Sequence, residues 1–200
     1  MAKNDYHFVS QWRVRGTVQE VTDILRSGRD LPQWWPAVYL DAQEIDPGDA
    51  NGVGYTVAVY TKGWLPYTLR WTAKSVEARH PYGYTLEASG DFVGRGDWKF
   101  EPDGEYVNIT YDWQIRTDKA LLRYGAFILG PLYEFNHQWA MQQGEVSLKL
   151  ELERRRAKTP EAKARIPAPP GPTTTSPVPM LLAVLVFIVV ILYFVTRLFR

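Results

Sequence analysis

His7, His80 and His137 are the only imidazoles among 200 residues, and no cysteine accompanies them. The absence of cysteine excludes a disulfide framework, a thiolate nucleophile, and thiolate zinc or iron–sulfur ligation. The histidines fall in three separate segments, none at the H-E-x-x-H spacing that presents two imidazoles on one helix face, so neither a metal nor another cofactor is expected. Two pairs have residue types suited to proton transfer, Asp97 with Asp112 and Glu134 with His137. A working pair needs burial to separate its pKa values, and both sit in segments that read more simply as solvated faces, so no catalytic residue is assigned. Gly94-Arg95-Gly96 lies inside a strand pattern and opens no helix; nucleophile elbows and phosphate-cradling loops are missing.

The elements that must position any site are legible from periodicity. Hydrophobic residues make up 46% of the chain and charged ones 22%, a globular composition. Period-2 alternation predicts strands over Tyr6–Gly16, Val53–Thr61, Leu69–Ala78, Tyr82–Ser89, Phe92–Glu101 and Glu105–Thr117. Turn signals separate them, among them Asn51-Gly52, His80-Pro81 and Pro102-Asp103-Gly104, so an antiparallel meander is expected. Thr17 with Glu20 three residues later is a capping box for a short helix ending near Gly28. A long helix is expected to start at Gly130-Pro131 and run to about Arg156, with Leu132, Phe135, Trp139, Val146 and Leu150 as its apolar stripe. Gln142 and Gln143 interrupt that stripe; either a ligand-facing notch or a spacing irregularity around Gly144 accounts for them.

A curved antiparallel sheet needs a filler for its concavity, and one amphipathic helix supplies it. Large aromatics alternating with glycine, as in Phe92, Gly94, Gly96, Trp98, leave unevenly filled space that can hold a ligand. The cavity candidates are Tyr55, Val57, Val59, Leu69, Trp71, Leu86, Trp98, Ile109, Tyr111, Trp113, Phe135, Trp139 and Gln142. Candidates for contact with a partner or a membrane are Trp34, Trp35, Trp64 and Leu65, with the basic cluster Arg154, Arg155, Arg156.

The order of elements carries a resemblance. A strand, short helices ending in Leu31-Pro32-Gln33-Trp34-Trp35-Pro36, a meander, Gly94-Arg95-Gly96-Asp97-Trp98-Lys99-Phe100 before a turn and Val107-Asn108-Ile109-Thr110-Tyr111, then a terminal helix: from about residue 4 to 156 the chain resembles the polyketide cyclase/dehydrase and lipid-transport family of the SRPBCC (START-like, helix-grip) superfamily. The resemblance implies an α+β helix-grip fold, a curved seven-stranded antiparallel sheet around a long C-terminal helix, over a cavity that relatives use for lipids, sterols, quinones, polyketides or aromatic compounds.

Beyond that domain, taken as residues 1–156, the composition changes. Residues 1–153 carry 15 Lys and Arg against 21 Asp and Glu, a net −6; residues 154–200 carry 8 against 1, a net +7. The acidic domain disfavours nucleic-acid binding. Residues 157–177 hold prolines at 160, 167, 169, 170, 172 and 177 and are expected to form a semi-rigid spacer. Residues 178–200 contain the apolar run Met180–Thr196, and Val178–Phe199 would span ~33 Å as a helix, which fits one transmembrane helix contacting the bilayer through residues 178–199. The basic excess before this run places the N-terminal domain on the cytoplasmic side of a single-pass, tail-anchored protein. The functional expectation is a membrane-tethered, non-catalytic binding protein for a hydrophobic small molecule of the lipid or quinone class. The alternative is an accessory subunit of a larger integral-membrane assembly, of a bioenergetic kind such as a respiratory or photosynthetic complex, that uses the domain as a docking body and packs its span against other membrane proteins. A cyclase or aromatase activity is the third class and would need polar groups converging inside the cavity.

Overall fold

The capping box forms as its residues dictate. Thr17 takes an extended backbone, its hydroxyl accepts from the Glu20 amide, and the Glu20 carboxylate accepts from the Thr17 amide at 2.8 Å. It opens α1 (Val18–Leu25), whose Val18, Val21, Ile24 and Leu25 are buried. The computed structural model describes residues 5–116 and 120–174. In chain order these make β1 (Asp5–Arg15), α1, a 3₁₀ turn (Gly28–Asp30), α2 (Leu31–Trp34), β2 (Tyr39–Asp46), β3 (Thr56–Lys62), β4 (Thr68–Ala78), β5 (Gly83–Gly90), β6 (Val93–Asp103), β7 (Tyr106–Arg116), α3 (Ala120–Arg156) and α4 (Pro160–Ala164).

The seven strands form one sheet in the order β1-β7-β6-β5-β4-β3-β2, every pair antiparallel. β1 pairs with β7 without a slip from Asp5↔Arg116 to Arg15↔Tyr106, which holds Trp12 and Val14 on the face shared with Ile109 and Val107. Register shifts occur at Tyr39/Asp41 and Glu44/Asp46 between β2 and β3 and at Ser75/Glu77 between β4 and β5, where irregular pairing bends a sheet. The outer face is polar. Arg79 pairs with Glu77 and Asp97 there, Arg95 with Glu87, and His7 with Asp112. The inner face curls around α3.

Two expectations about the elements need correction. β2, a strand the alternation does not announce, is exposed along nearly its whole length, so neither face imposes a hydrophobic pattern. α3 begins at Ala120 and contains Pro131 in its interior, whereas Gly130-Pro131 reads in sequence as its start. Proline within a helix removes one backbone hydrogen bond, yet Leu132-Tyr133-Glu134-Phe135 directly after it are ordinary helix residues.

Helix α3 packs through a face that mixes large apolar side chains with glycine and serine. From Pro131 onward the buried positions of α3 are Tyr133, Met141, Gly144, Ser147, Leu148 and Leu152, while Phe135 and Val146 of the expected stripe are 47% and 46% exposed. Gly144 is required by close approach: a Cβ there would lie 2.3 Å from Cζ2 of Trp35. Trp35 in turn meets Trp12, Trp34 and Tyr39 at ring centroid separations of 5.5, 5.4 and 5.2 Å. Each such aromatic pair contributes about 0.5–1.5 kcal/mol beyond area burial.

The segment after α3 does not swing free. It forms α4, capped by the Thr159 hydroxyl, and then runs extended along the domain. Arg154 donates to the carbonyl of Pro167 at 3.0 Å, and Lys62 Nζ donates to that of Thr173 at 2.6 Å. Among the described residues no helix is long and apolar enough to cross a membrane; the expected span at 178–199 lies outside the described residues.

Candidate functional site

Between the concave sheet face and α3 lies a cavity of about 170 Å³. β1 contributes Tyr6 and Phe8, β4 Leu69 and Trp71, β6 Trp98, β7 Tyr111, Trp113 and Ile115, and α3 Tyr133, Asn136, His137, Ala140 and Met141. Trp35, Val38 and Tyr39 close one end; Lys62, Gly63 and Tyr67 form the rim where β3 turns into β4. A smaller chamber of about 70 Å³ shares Trp35, Tyr39, Trp71, Trp98 and Tyr111 with the first and continues to Tyr55, Val57, Val59 and Leu86.

The cavity wall is a stacked aromatic surface. Trp98 lies on Tyr111 at 4.0 Å and 17°, Tyr111 on Trp113 at 5.5 Å, and Trp71 and Phe92 enclose Trp113 from the other side at 6.0 and 5.8 Å. Gly94 and Gly96 on β6 leave the room that Ile115, Tyr111 and Trp113 occupy. The large-small alternation read from Phe92 to Trp98 therefore serves the stack itself.

Few polar atoms line the cavity, and apart from Lys62 at the rim they belong to neutral side chains. His137 stacks on Phe8 at 4.3 Å and its Nε2 is 3.2 Å from the Ser10 hydroxyl. Burial pushes its pKa down to about 4, so the imidazole is uncharged near neutral pH. Burial likewise pushes the Tyr67 hydroxyl up to about 12 and raises those of Tyr39 and Tyr111 further, which leaves protonated phenols. The Trp71 indole N–H donates to Thr61 Oγ1 at 3.1 Å. Asn136 fastens the rim to α3: its Oδ1 accepts from the Leu65 amide at 2.8 Å, and a Cβ on Gly63 would sit 2.4 Å from the same oxygen. The indole N–H of Trp35, a residue that lines both chambers, has no hydrogen-bond partner among the described residues.

The structure places the sequence-derived candidates unevenly. Leu69 and Trp113 stand in the wall of the larger chamber, Tyr55, Val57, Val59 and Leu86 in that of the smaller, and Trp71, Trp98 and Tyr111 in both. Ile109, Phe135, Trp139 and Gln142 line neither: Ile109 is sealed in the core, Trp139 packs against it, Gln142 is exposed, and Phe135 stands outside. Trp34, Trp35 and Leu65, expected as outward contacts, are only 1%, 3% and 2% exposed. Arg154 and Arg155 bond Glu151, and Arg156 bonds Glu20 and the carbonyl of Arg15, so the basic cluster is occupied by the domain itself. Trp64 alone of the aromatic contact candidates remains at the rim, with its ring edge-on to Phe135 at 5.4 Å.

Neither acid–base pair enters the cavity. Asp97 and Asp112 are register partners on the outer face, one held by Arg79 and Thr85, the other by His7. Glu134 is exposed and accepts from Gln138. No cluster of three metal-ligating side chains occurs among the described residues. Sequence reading missed Tyr6, Phe8, Tyr67, Tyr133, Asn136 and His137 in the wall. The available signal was the spacing Tyr133, Asn136, His137, Ala140, Met141, Gly144, a helical face of modest and small residues.

Comparison with known proteins agrees with this architecture. Residues 6–153 match the family model described as polyketide cyclase / dehydrase and lipid transport. The chain belongs to this family. No curated protein matches it. Among solved structures, an aromatase/cyclase from Streptomyces sp. R1128 superposes with a TM-score of 0.62 at 13% identity, covering 77% of this chain and 97% of that one. A START superfamily protein from Mycobacterium smegmatis gives 0.61 at 12%, covering 74% and 98%. Norcoclaurine synthase from Thalictrum flavum gives 0.55 at 14%, covering 77% and 90%. At these identities the likeness establishes the helix-grip fold.

Proposed function

We propose that this family member binds a neutral, hydrophobic small molecule in the aromatic cavity and does so at a membrane, to which residues 178–199 anchor it. The cavity carries the first half of the reading. Its lining is aromatic, its phenols and imidazole are uncharged at neutral pH, and it offers no carboxylate to a cationic guest. The volume narrows the class: an apolar cavity of about 150 Å³ takes up benzene, so 170 Å³ holds one ring or a short run of acyl chain. A larger lipid or quinone would insert one such portion and leave the remainder in the mouth. The unmatched Trp35 donor suits an acceptor such as a carbonyl oxygen, since a buried N–H without a partner costs about 1–3 kcal/mol. The hydropathy of Met180–Thr196 supports the second half.

Thermal unfolding of the full-length chain in mild detergent tests the binding, with 1,4-naphthoquinone and 1-dodecanol as probes. A probe present at 100 times its Kd stabilises by about 2.7 kcal/mol, an upward shift of roughly 5–10 °C for a domain of this size. Ala140→Phe, which fills the chamber from α3, should abolish the shift. No shift with either probe, or an equal shift in Ala140→Phe, overturns the binding reading. Recovery of the chain in the soluble fraction after alkaline carbonate overturns the anchoring reading separately.

A further inference from the structure

The proline-rich segment returns to the cavity mouth. Helix α3 leaves the rim at Tyr133 and Asn136 and ends ~35 Å further on, at ~1.5 Å per residue, where Arg156 bonds Glu20. From there α4 and residues 165–174 run back along the domain. Ile166, Ala168 and Pro169 lie beside Trp34, the Pro167 carbonyl is held by Arg154, and Thr173 reaches the rim. At the rim the Thr173 carbonyl accepts from Lys62 and its hydroxyl donates to the Gly63 carbonyl at 3.4 Å. Lys62 and Gly63 are themselves lining residues of the mouth.

This return path fixes a distance that the sequence alone leaves open. A free spacer of residues 157–177 would reach ~65 Å at ~3.1 Å per residue and would allow any orientation of the domain. With Thr173 fastened at the mouth, Val178 lies five residues on, within ~18 Å of it at the covalent limit of ~3.6 Å per residue. The rim has the chemistry of a membrane interface. Trp64 follows the lining residue Gly63 on the β3–β4 turn, the half-exposed Phe135 precedes the lining residue Asn136 on α3, and the two rings meet edge to face at 5.4 Å.

Resting on the anchoring reading above, we infer that the cavity mouth faces the lipid surface, with Trp64 and Phe135 at headgroup level, so that the apolar guest passes between bilayer and cavity without entering bulk water. The proline-rich segment is then an orienting strap.

The chain has no cysteine, so one introduced thiol can be labelled alone. Full-length Phe135→Cys and, as a control at the far end of the sheet, Glu101→Cys are labelled with bimane and reconstituted into phosphatidylcholine–phosphatidylglycerol vesicles containing doxyl-labelled lipid. Quenching at position 135 should exceed that at 101 at least threefold. A 20-residue Gly-Ser insertion between Thr174 and Val178 should bring the two positions level. Trp64→Cys gives the same reading from the opposite lip should the helix variant fold poorly. Equal quenching at both ends in vesicle-bound protein overturns the orientation while leaving the anchor standing. Failure of the unmodified chain to float with vesicles overturns both.

Discussion

Gly144 shows how one position can reverse an ordinary rule. In a helix interior Gly→Ala usually adds up to about 1 kcal/mol, because the chain has less freedom to lose on folding. Here the new methyl would lie 2.3 Å from the Trp35 ring, which Trp12, Trp34 and Tyr39 hold from the other sides. Gly144→Ala is therefore expected to lower the midpoint of urea unfolding, by about 1–3 kcal/mol of stability, as overpacked cores do. A variant at least as stable as the parent would mean that the Trp35 ring has room to retreat. The same residue explains why the helix face was misread. Sequence reading rewarded large apolar side chains, so it chose Phe135 and Val146 and read Gln142 and Gln143 as an interruption, either a ligand-facing notch or a spacing irregularity around Gly144. A helix lying against Trp35 and a cavity needs small residues there, and Ala140, Gly144 and Ser147 are silent in a search for bulk.

At the scale of elements, strands with one wet face and one packed face were legible: the alternation of β1, β3 and β7 matches their burial. β2 was not, because pattern arises only where burial differs between faces. The strap was not, because proline content specifies extended backbone and says nothing of what the extended chain lies on. Helix α3 is tied to its neighbours by two titrating contacts whose pH windows differ. His137 on α3 rests neutral against Phe8 and Ser10 of β1; its pKa falls from 6.5 to about 4 on folding. Between these values the unfolded chain takes up a proton that the folded chain refuses, so stability is full above pH 6.5 and declines toward pH 4, by up to about 3 kcal/mol. Glu20 on α1 is held down from 4.5 to about 2, chiefly by its hydrogen bond from Arg156 at the end of α3. Its contribution is complete above pH 4.5 and is lost as pH falls toward 2. Both partners are more than a third exposed, so this limb is the shallower. Urea midpoints followed from pH 8 to 2 should show both limbs. His137→Gln should flatten only the upper one and Arg156→Gln only the lower. An unchanged upper limb in His137→Gln would assign the loss to other groups.

At the scale of the whole molecule, the proposed function assigns binding to the acidic cup and placement to the basic, apolar tail, with residues 157–174 between them. The two roles should therefore separate by mutation. Ala140→Phe fills the chamber from α3 and leaves Thr173, Lys62 and the tail residues unchanged in sequence, so it should abolish uptake of a naphthoquinone probe while leaving vesicle flotation intact. The Gly-Ser insertion after Thr174 leaves the chamber intact, so affinity measured in detergent should match the parent. It should instead slow capture from vesicles. The effective concentration of a tethered mouth at the membrane falls roughly as the −3/2 power of tether length, so going from 5 to 25 residues lowers it about tenfold. Stopped-flow quenching of tryptophan fluorescence on mixing with probe-loaded vesicles reads the rate directly, because Trp71, Trp98 and Trp113 stand in the cavity wall. Equal capture rates in parent and insertion variant would mean that the guest reaches the cavity through water, and the strap would then have no part in loading.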